Sequence, residues 1–497
     1  MINKKRILLI EPPFYRLYNP NYSNTKYPLS LGYLSEAIRK DTDWQVYVYN
    51  ADFSPTSEDM KARYLSGEGF DRYLANLKDL TASIWQEIRS VILEYIPEVL
   101  GISAKSQNFI AACNVAKIAK QINRETLVIV GGPHPSLVGF EVLKCADIDV
   151  GVMGEGEVTI VELLQAIERH KPFTGIKGIV HRQDNKPLEN APRELLNDLD
   201  SLNFPHRSAA EVLIDHKLYP ASAFQSIFAT RGCPFNCRYC GSRYIWGRRV
   251  RFRSPLNVVA EIESLRKLGL KSIHFDDDTF GINQKYLNEL CQALKKYSHG
   301  LKWSCEIHVK LVNDHNIGLM KEAGCYHISL GIESGSNEIL NIERKGITIE
   351  EAIRACDIIK RYGIELATFF MVGFLNETEE TLVATEKAMR TIKNASINYS
   401  IFTPYPGTEI FRLCKEKGLV SNTFDPSLYN HQSPQNCFCM IPPEKFREMA
   451  SRIERFVDRR NYWNRIKRNL SLETIAKIRE LGLVESIKKG LKRIAGR

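Results

Sequence analysis

From Lys5 onward, short apolar runs alternate with stretches whose apolar residues recur every three or four positions. Ile7-Leu8-Leu9-Ile10, Val46 to Tyr49, Val99 to Ser103 and Val128-Ile129-Val130 predict buried strands, while Leu31 to Lys40 and Phe109 to Asn123 predict amphipathic helices. This alternation predicts an open parallel sheet covered on both faces, whose ligands gather at the carboxyl ends of the strands. Those ends carry Glu11-Pro12-Pro13, Asn50-Ala51-Asp52, Gly101-Ile102-Ser103 and Gly131-Gly132-Pro133-His134. Gly154-Glu155-Gly156-Glu157 follows, ahead of a helix from Thr159 to Arg169.

Residues 172 to 222 interrupt the rhythm with short polar runs and Pro192, Pro205 and Pro220, and read as a connector. The alternation then resumes. Ser226 to Thr230, Ser272 to Phe275, Trp303 to Ile307, His327 to Leu330, Leu366 to Val372 and Ala395 to Ile401 predict six strands. Pro255 to Leu268, Gln284 to Tyr297, Ile317 to Ala323, Ile349 to Tyr362 and Thr378 to Ile392 predict helices between them. Six such units imply a partial barrel of the (β/α) type with its site at the carboxyl ends of the strands. Beyond residue 410 the strand rhythm stops, and a charge-rich helical region runs from Glu444 to Trp463. The expected division is therefore 1–171, connector 172–222, barrel 223–410 and helical, basic C-terminal domain 411–497.

At 497 residues, with 44% hydrophobic and 25% charged residues, the chain has an ordinary globular composition. No apolar run is long enough for a membrane span, and the N-terminus lacks the pattern of a signal peptide. Twelve cysteines without pairing rhythm fit a reducing compartment, and the cytoplasm is the expected location. The net charge of +10 is uneven: residues 463 to 497 hold ten Lys/Arg and three Glu, leaving +7. A solvated helical face is the simplest reading of that end, with peripheral membrane contact as a second use. No added nucleic-acid-binding module is recognisable.

Directly after the strand at Ser226 comes Arg231-Gly232-Cys233-Pro234-Phe235-Asn236-Cys237-Arg238-Tyr239-Cys240, a C-x3-C-x2-C run. Three thiolates on one loop can hold a cubane iron–sulfur cluster and leave one iron without a protein ligand. Buried thiols, or a zinc site with a fourth ligand from elsewhere, are the alternatives. The second strand ends in Asp276-Asp277-Asp278, an acidic cluster that needs water, a cation or hydrogen-bond donors. Asp278 also suits a helix cap. Gly331-Ile332-Glu333-Ser334-Gly335 follows the fourth strand, and Glu306 and His308 share one side of the third by the period of two.

The cysteine spacing and its setting resemble the radical S-adenosylmethionine superfamily. The order Gly-Ile-Ser, Gly-Gly-Pro-His, Gly-Glu-Gly-Glu upstream of it resembles the cobalamin-binding subfamily, over about residues 5 to 410. The resemblance implies a Rossmann-like (flavodoxin-like) cobalamin-binding domain followed by a partial (β/α)6 TIM-type barrel. It implies a 4Fe-4S cluster on Cys233, Cys237 and Cys240, and S-adenosylmethionine chelated to the free iron and cleaved to a 5′-deoxyadenosyl radical. Tyr239 would lie beside adenine, Asp277 or Asp278 would take the ammonium group, and Glu333 the ribose hydroxyls. Ser103, Gly131 and Gly132 would meet the nucleotide tail of cobalamin. The family's Asp-x-His-x-x-Gly string is missing and no histidine precedes His134, so either cobalamin binds without a histidine ligand or the domain has lost the cofactor and only supports the barrel; His134 reads as a turn residue. Relatives often carry arginine near His308. Gly373 to Thr378 and Pro404 to Thr408 resemble structural turns of the family, and Tyr405 could line the pocket.

The resemblance implies methyl transfer to an unactivated carbon of a small, hydrophobic or natural-product-like molecule, with a reducing electron donor such as flavodoxin or ferredoxin. Radical ring formation, as in anaerobic porphyrin-ester cyclases, is the alternative within the family. A different class, a nucleic-acid or membrane-binding protein with a structural cluster, is disfavoured because structural clusters have every iron ligated by protein. Cys437 and Cys439 fall short of four ligands and read as buried thiols.

Overall fold

The computed structural model describes residues 4–55, 68–184, 186–421 and 436–469, together with Asn430 and Ser433. The first sheet contains β1 (Arg6–Glu11), β2 (Gln45–Asn50), β3 (Val99–Ser103), β4 (Leu127–Gly131) and β5 (Val150–Val152), all parallel, in the order β2-β1-β3-β4-β5. That is the doubly wound, flavodoxin-like order, with its crevice where β1 and β3 send the chain to opposite sides. Both faces are covered, so Ile7 to Ile10 are all buried. Ile7 and Leu9 pack toward Leu31, Ile38 and Leu163, while Leu8 and Ile10 pack toward Trp85, Ile88 and Val115.

The sheet does not stop at residue 171. Two antiparallel strands, β6 (Ile179–Gln183) and β7 (Lys186–Glu189), extend it through the stretch expected to be a connector. All four residues of β7 are exposed, so it carries no apolar signature by which the sequence could declare it.

The second sheet contains β8 (Ser226–Ile227), β11 (Ser272–Phe275), β12 (Lys302–His308), β13 (Cys325–Glu333), β14 (Glu365–Val372) and β15 (Ser396–Ile401), parallel in that order. These six strands form the expected partial barrel. The run 226–230 is not one strand: after Ile227 the chain turns away, and β9 (Thr230–Arg231) pairs antiparallel with β10 (Arg251–Phe252). Asp277 fixes that turn, its Oδ1 accepting the Ala229 N–H at 2.8 Å and its Oδ2 the Thr230 hydroxyl at 2.6 Å.

Along the barrel strands Ile273, Phe275, Trp303, Cys305, Ile307, Ile328, Leu330 and Ile332 are buried in the core. The alternate positions, among them His274, Ser304, Glu306, Ser329 and Glu333, share the inner face, and His274 Nδ1 lies 2.8 Å from Ser304 Oγ across it. At the open edge the helix Pro443–Asn469 packs on β15. Asn461 accepts the Ile397 N–H at 3.0 Å and donates to the Ile397 carbonyl at 2.7 Å, and Asn464 donates to the Ala395 carbonyl at 2.9 Å. Side-chain amides thus occupy the groups an adjacent strand would use. Among the described residues no helix is long and apolar enough to cross a membrane. The basic segment 470–497 lies outside the described residues.

Candidate functional site

The Gly-Glu-Gly-Glu segment of the first domain meets the residue that opens the cysteine loop. Arg231 donates to Glu155 at 2.7 Å and to Glu157 at 2.6 Å, and Arg251 donates to the second oxygen of Glu155 at 2.7 Å. All four side chains are buried, and the Tyr33 ring lies 4.9 Å from the Arg231 guanidinium. A second contact explains the Pro404 to Thr408 turn: a Cβ on Gly407 would stand 2.3 Å from the Leu137 carbonyl oxygen. The seam therefore sets the carboxyl edge of the first sheet against the mouth of the barrel.

Cys233, Cys237 and Cys240 lie on the loop after β9. Gly232 enters it at φ 105°, and a Cβ there would sit 2.0 Å from the Arg249 carbonyl oxygen, so no other residue fits. Asp278 ties the loop down, accepting the Gly232 N–H at 3.1 Å and the Ser242 hydroxyl at 2.7 Å. Burial pushes the Cys233 thiol up to about 11 and Cys240 up to about 12, a cost that metal coordination, which deprotonates a thiol outright, reverses. Lys345 answers it: burial alone would lower its ammonium, yet Glu333 beside it holds it charged, and thiolates at Cys237 and Cys240 would hold it more firmly. Three sulfurs with a buried cation beside them suit an anionic cluster.

Lys345 is a residue the sequence does not announce, since it belongs to no motif. Its Nζ lies 2.9 Å from Glu333 Oε1, and both side chains are largely buried. Glu333 has φ 73°, a conformation that side chains rarely adopt, at a register shift in β13. That twist turns its carboxylate back across Gly331, where a Cβ would stand 2.7 Å from Glu333 Oε1 and 3.0 Å from Lys345 Nζ. Tyr239 packs its ring against Phe374, centroids 5.6 Å apart, and its hydroxyl hydrogen-bonds the Cys237 thiol. His308 stacks on Phe235 of the loop, centroids 3.6 Å apart, with Nδ1 accepting the Lys310 N–H and Nε2 facing the Lys345 carbonyl. Burial and the Lys345 charge push His308 down to about 3, so the ring is neutral.

The two acidic candidates separate. Asp277 is buried with both oxygens engaged by β9, and burial pushes its carboxyl up to about 7. Asp278 is exposed and stands beside Cys233 and Cys240. Asp276 pairs with His274 at 3.2 Å, and Glu306 lies near both and near Lys26 of the first domain.

Across the seam, Ser103 and Gly131 are half-buried at the ends of β3 and β4. A Cβ on Gly131 would meet nothing nearer than Val152 at 3.8 Å, and one on Gly154 would meet nothing within 4 Å, so this crest has open ground for a flat ligand. Gly132 differs: at φ 112° its place is set by the Ala104 carbonyl oxygen, 2.9 Å from where a Cβ would be. At the β1/β3 crevice Lys105 and Glu11 pair at 3.3 Å, with Tyr15 close by. Neither Lys105 nor Tyr15 belongs to a motif, so the sequence alone does not announce them. His134 is buried, with Nδ1 3.0 Å from Ser106 Oγ and its ring against Phe109, and burial pushes it down to about 3. It is packed into the first domain from the short helix Pro133–Val138, not from a turn. Cys437 and Cys439 both approach the Ile441 carbonyl, at 3.8 and 4.0 Å, and are half-buried.

A flavodoxin-like sheet locked over a six-stranded barrel, with a three-cysteine loop between them, defines a two-cofactor radical enzyme architecture. Residues 227–389 match the Radical SAM superfamily and residues 46–164 the B12 binding domain. An uncharacterized methyltransferase of Pyrococcus horikoshii is 32% identical over 419 residues, covering 84% of each chain. The anaerobic magnesium-protoporphyrin IX monomethyl ester cyclase of Rubrivivax gelatinosus is 31% identical over 389 residues, 75% of this chain and 68% of that one. The radical S-adenosylmethionine methyltransferase TsrM of Kitasatospora setae, solved with cobalamin and a [4Fe-4S] cluster, superposes with TM-score 0.67 at 19% identity, over 85% of this chain and 76% of its own. OxsB, a cobalamin-dependent S-adenosylmethionine radical enzyme, does so with TM-score 0.67 at 16% identity, over 92% and 67%. The chain belongs to the radical S-adenosylmethionine superfamily, in its B12-binding group, whose relatives are methyltransferases and cyclases. Its cofactors are those of the group: a 4Fe-4S cluster, S-adenosylmethionine and cobalamin.

Proposed function

We propose that the protein methylates an unactivated carbon of a small, hydrophobic or natural-product-like substrate. When bound, the cluster, S-adenosylmethionine and cobalamin supply radical generation and methyl transfer. The chain's own residues bind, orient and shield them. Cys233, Cys237 and Cys240 hold the cluster, and Lys345 offsets its charge. Asp278 takes the ammonium of S-adenosylmethionine, while Asp277 anchors the loop beneath it. Glu333, held across Gly331 by Lys345, accepts from the ribose hydroxyls, and Tyr239 bounds the adenine side. Ser103 and Gly131 receive the nucleotide tail of cobalamin, and Gly132 shapes the turn beside them; no histidine ligates the cobalt. The substrate enters beside Lys26 and Glu306, with reducing equivalents from flavodoxin or ferredoxin in the cytoplasm.

The observation that carries this reading is the clamp of Glu155 and Glu157 on Arg231, which faces the crest of the B12-binding sheet toward the cysteine loop. The test is anaerobic reconstitution with cobalamin and S-adenosylmethionine bearing a deuterated methyl group, followed by metal counts and product mass. Incorporation of the labelled methyl is expected. Cyclisation, named for a relative of almost equal identity, would give a product without the label. Full iron loading with cobalt absent would remove methylation.

A further inference from the structure

The cysteine loop has a second side, and it is basic. Arg248 is exposed, and its Nε donates to the Pro234 carbonyl at 3.1 Å, one residue from Cys233. Beyond Cys240, Arg243 lies on the short helix Ser242–Trp246 with its guanidinium 4.8 Å from the exposed Tyr244 ring. Arg344 comes from the other flank of the loop and is 49% exposed. Arg249, also exposed, donates to the neutral Asn197 at 3.3 Å. Against these stands Glu409, 17% exposed and shared among Arg344 at 2.9 Å, Arg238 at 3.4 Å and Arg243 at 3.6 Å. With Glu343 buried beside Arg238 and Arg344, and Asp278 bonded to Ser242, three carboxylates face five arginines, so a net positive surface still frames the loop.

A surface of this kind has a use in a protein whose cluster must be reduced from outside. We infer that Arg243, Arg248, Arg249 and Arg344 form the docking surface for a small acidic one-electron carrier protein, which delivers its electron through the Pro234 side of the loop. The inference rests on the radical-enzyme reading and adds the place where the reductant binds. In each encounter the carrier loses one electron and the oxidised cluster gains it. Charge complementarity steers the encounter and speeds association. The exposed tyrosine beside Arg243 gives the contact an aromatic anchor of the type that interfaces favour. An anionic substrate fits less well: Glu333, Glu306 and Tyr239 gather on the inner side of the loop, whereas these arginines reach Glu409, Asn197 and the outer backbone.

The experiment compares two reductants on the full-length, reconstituted enzyme, following cleavage of S-adenosylmethionine. One arm uses flavodoxin with its reductase; the other uses reduced methyl viologen, a cation that does not need a basic dock. R243E/R249E is expected to raise the KM for flavodoxin about tenfold or more, leaving viologen-driven cleavage and iron content within about twofold. R243Q/R249Q, which removes charge without reversing it, should shift the same KM by a smaller factor and keeps the test alive where reversal lowers cluster content. For the parent enzyme, raising salt from about 20 to about 200 mM should raise the flavodoxin KM and spare the viologen arm. Unchanged flavodoxin kinetics in both variants, or no salt dependence, overturns the docking surface. Absence of viologen-driven cleavage in the parent enzyme overturns the radical-enzyme reading instead.

Discussion

Two adjacent aspartates show how burial assigns different work to the same side chain. Asp277 has no access to water, so D277A leaves the Ala229 N–H and the Thr230 hydroxyl without their acceptor. The expected cost is about 1–3 kcal/mol in urea unfolding. Asp278 is exposed, and water replaces what its removal takes from Gly232 and Ser242. D278A should therefore unfold closer to the parent protein while raising the KM for S-adenosylmethionine; equal stability losses for the two variants would refute the division. Gly331 belongs to the same scale. In G331A the new methyl group meets the tips of Glu333 and Lys345, which can shift, rather than backbone, which cannot. Its expected effect is a KM for S-adenosylmethionine raised about tenfold with the cluster retained, the size of penalty a sub-ångström misplacement produces; kinetics and iron counts check it.

Among the elements, the turn from Gly373 to Thr378 depends on a carboxyl that burial keeps protonated. Glu377 is fully buried, accepts the N–H groups of Gly373 and Phe374, and is pushed up to about 8 from an ordinary value of 4.5. Because the folded protein holds this proton more tightly, its contribution to stability is complete below about 4.5 and is lost as pH rises through about 8. E377Q, which mimics the protonated acid, should flatten the fall in Tm between those values; an unchanged pH profile would refute the assignment. This turn is legible in sequence through its glycine and its Thr378 cap, and so are nearly all barrel helices, because periodicity and caps are local. Gln284–Tyr297 falls where the pattern places it, with Asn283 accepting from Tyr286. What is not local escapes. The strand expected over 226–230 breaks because Asp277, nearly fifty residues away, captures its backbone. Strand β7 lacks any buried residue to betray it. Of the site, the cysteine loop is legible because its ligands are adjacent in sequence. Lys345 and the Arg231 clamp are not, since each gains its meaning from a carboxylate brought by another element.

At the scale of the whole molecule, the seam between the domains is fixed by charge as much as by apolar packing. R231M removes a buried guanidinium and leaves Glu157 without its ion-pair partner and Glu155 with Arg251 alone. An uncompensated buried carboxylate costs about 3–5 kcal/mol, and urea unfolding should record that loss together with poorer cobalamin retention. Unaltered unfolding would mean that Tyr33, Leu137 and their apolar neighbours hold the seam unaided. The opposite border of the barrel carries a different lesson. With Asn461 and Asn464 stationed along β15, the helix Pro443–Asn469 acts as a stopper on the ladder rather than as one more layer over it. A chain ending before Pro443 would present bare amides along β15, ready to zip onto the same border of a second copy.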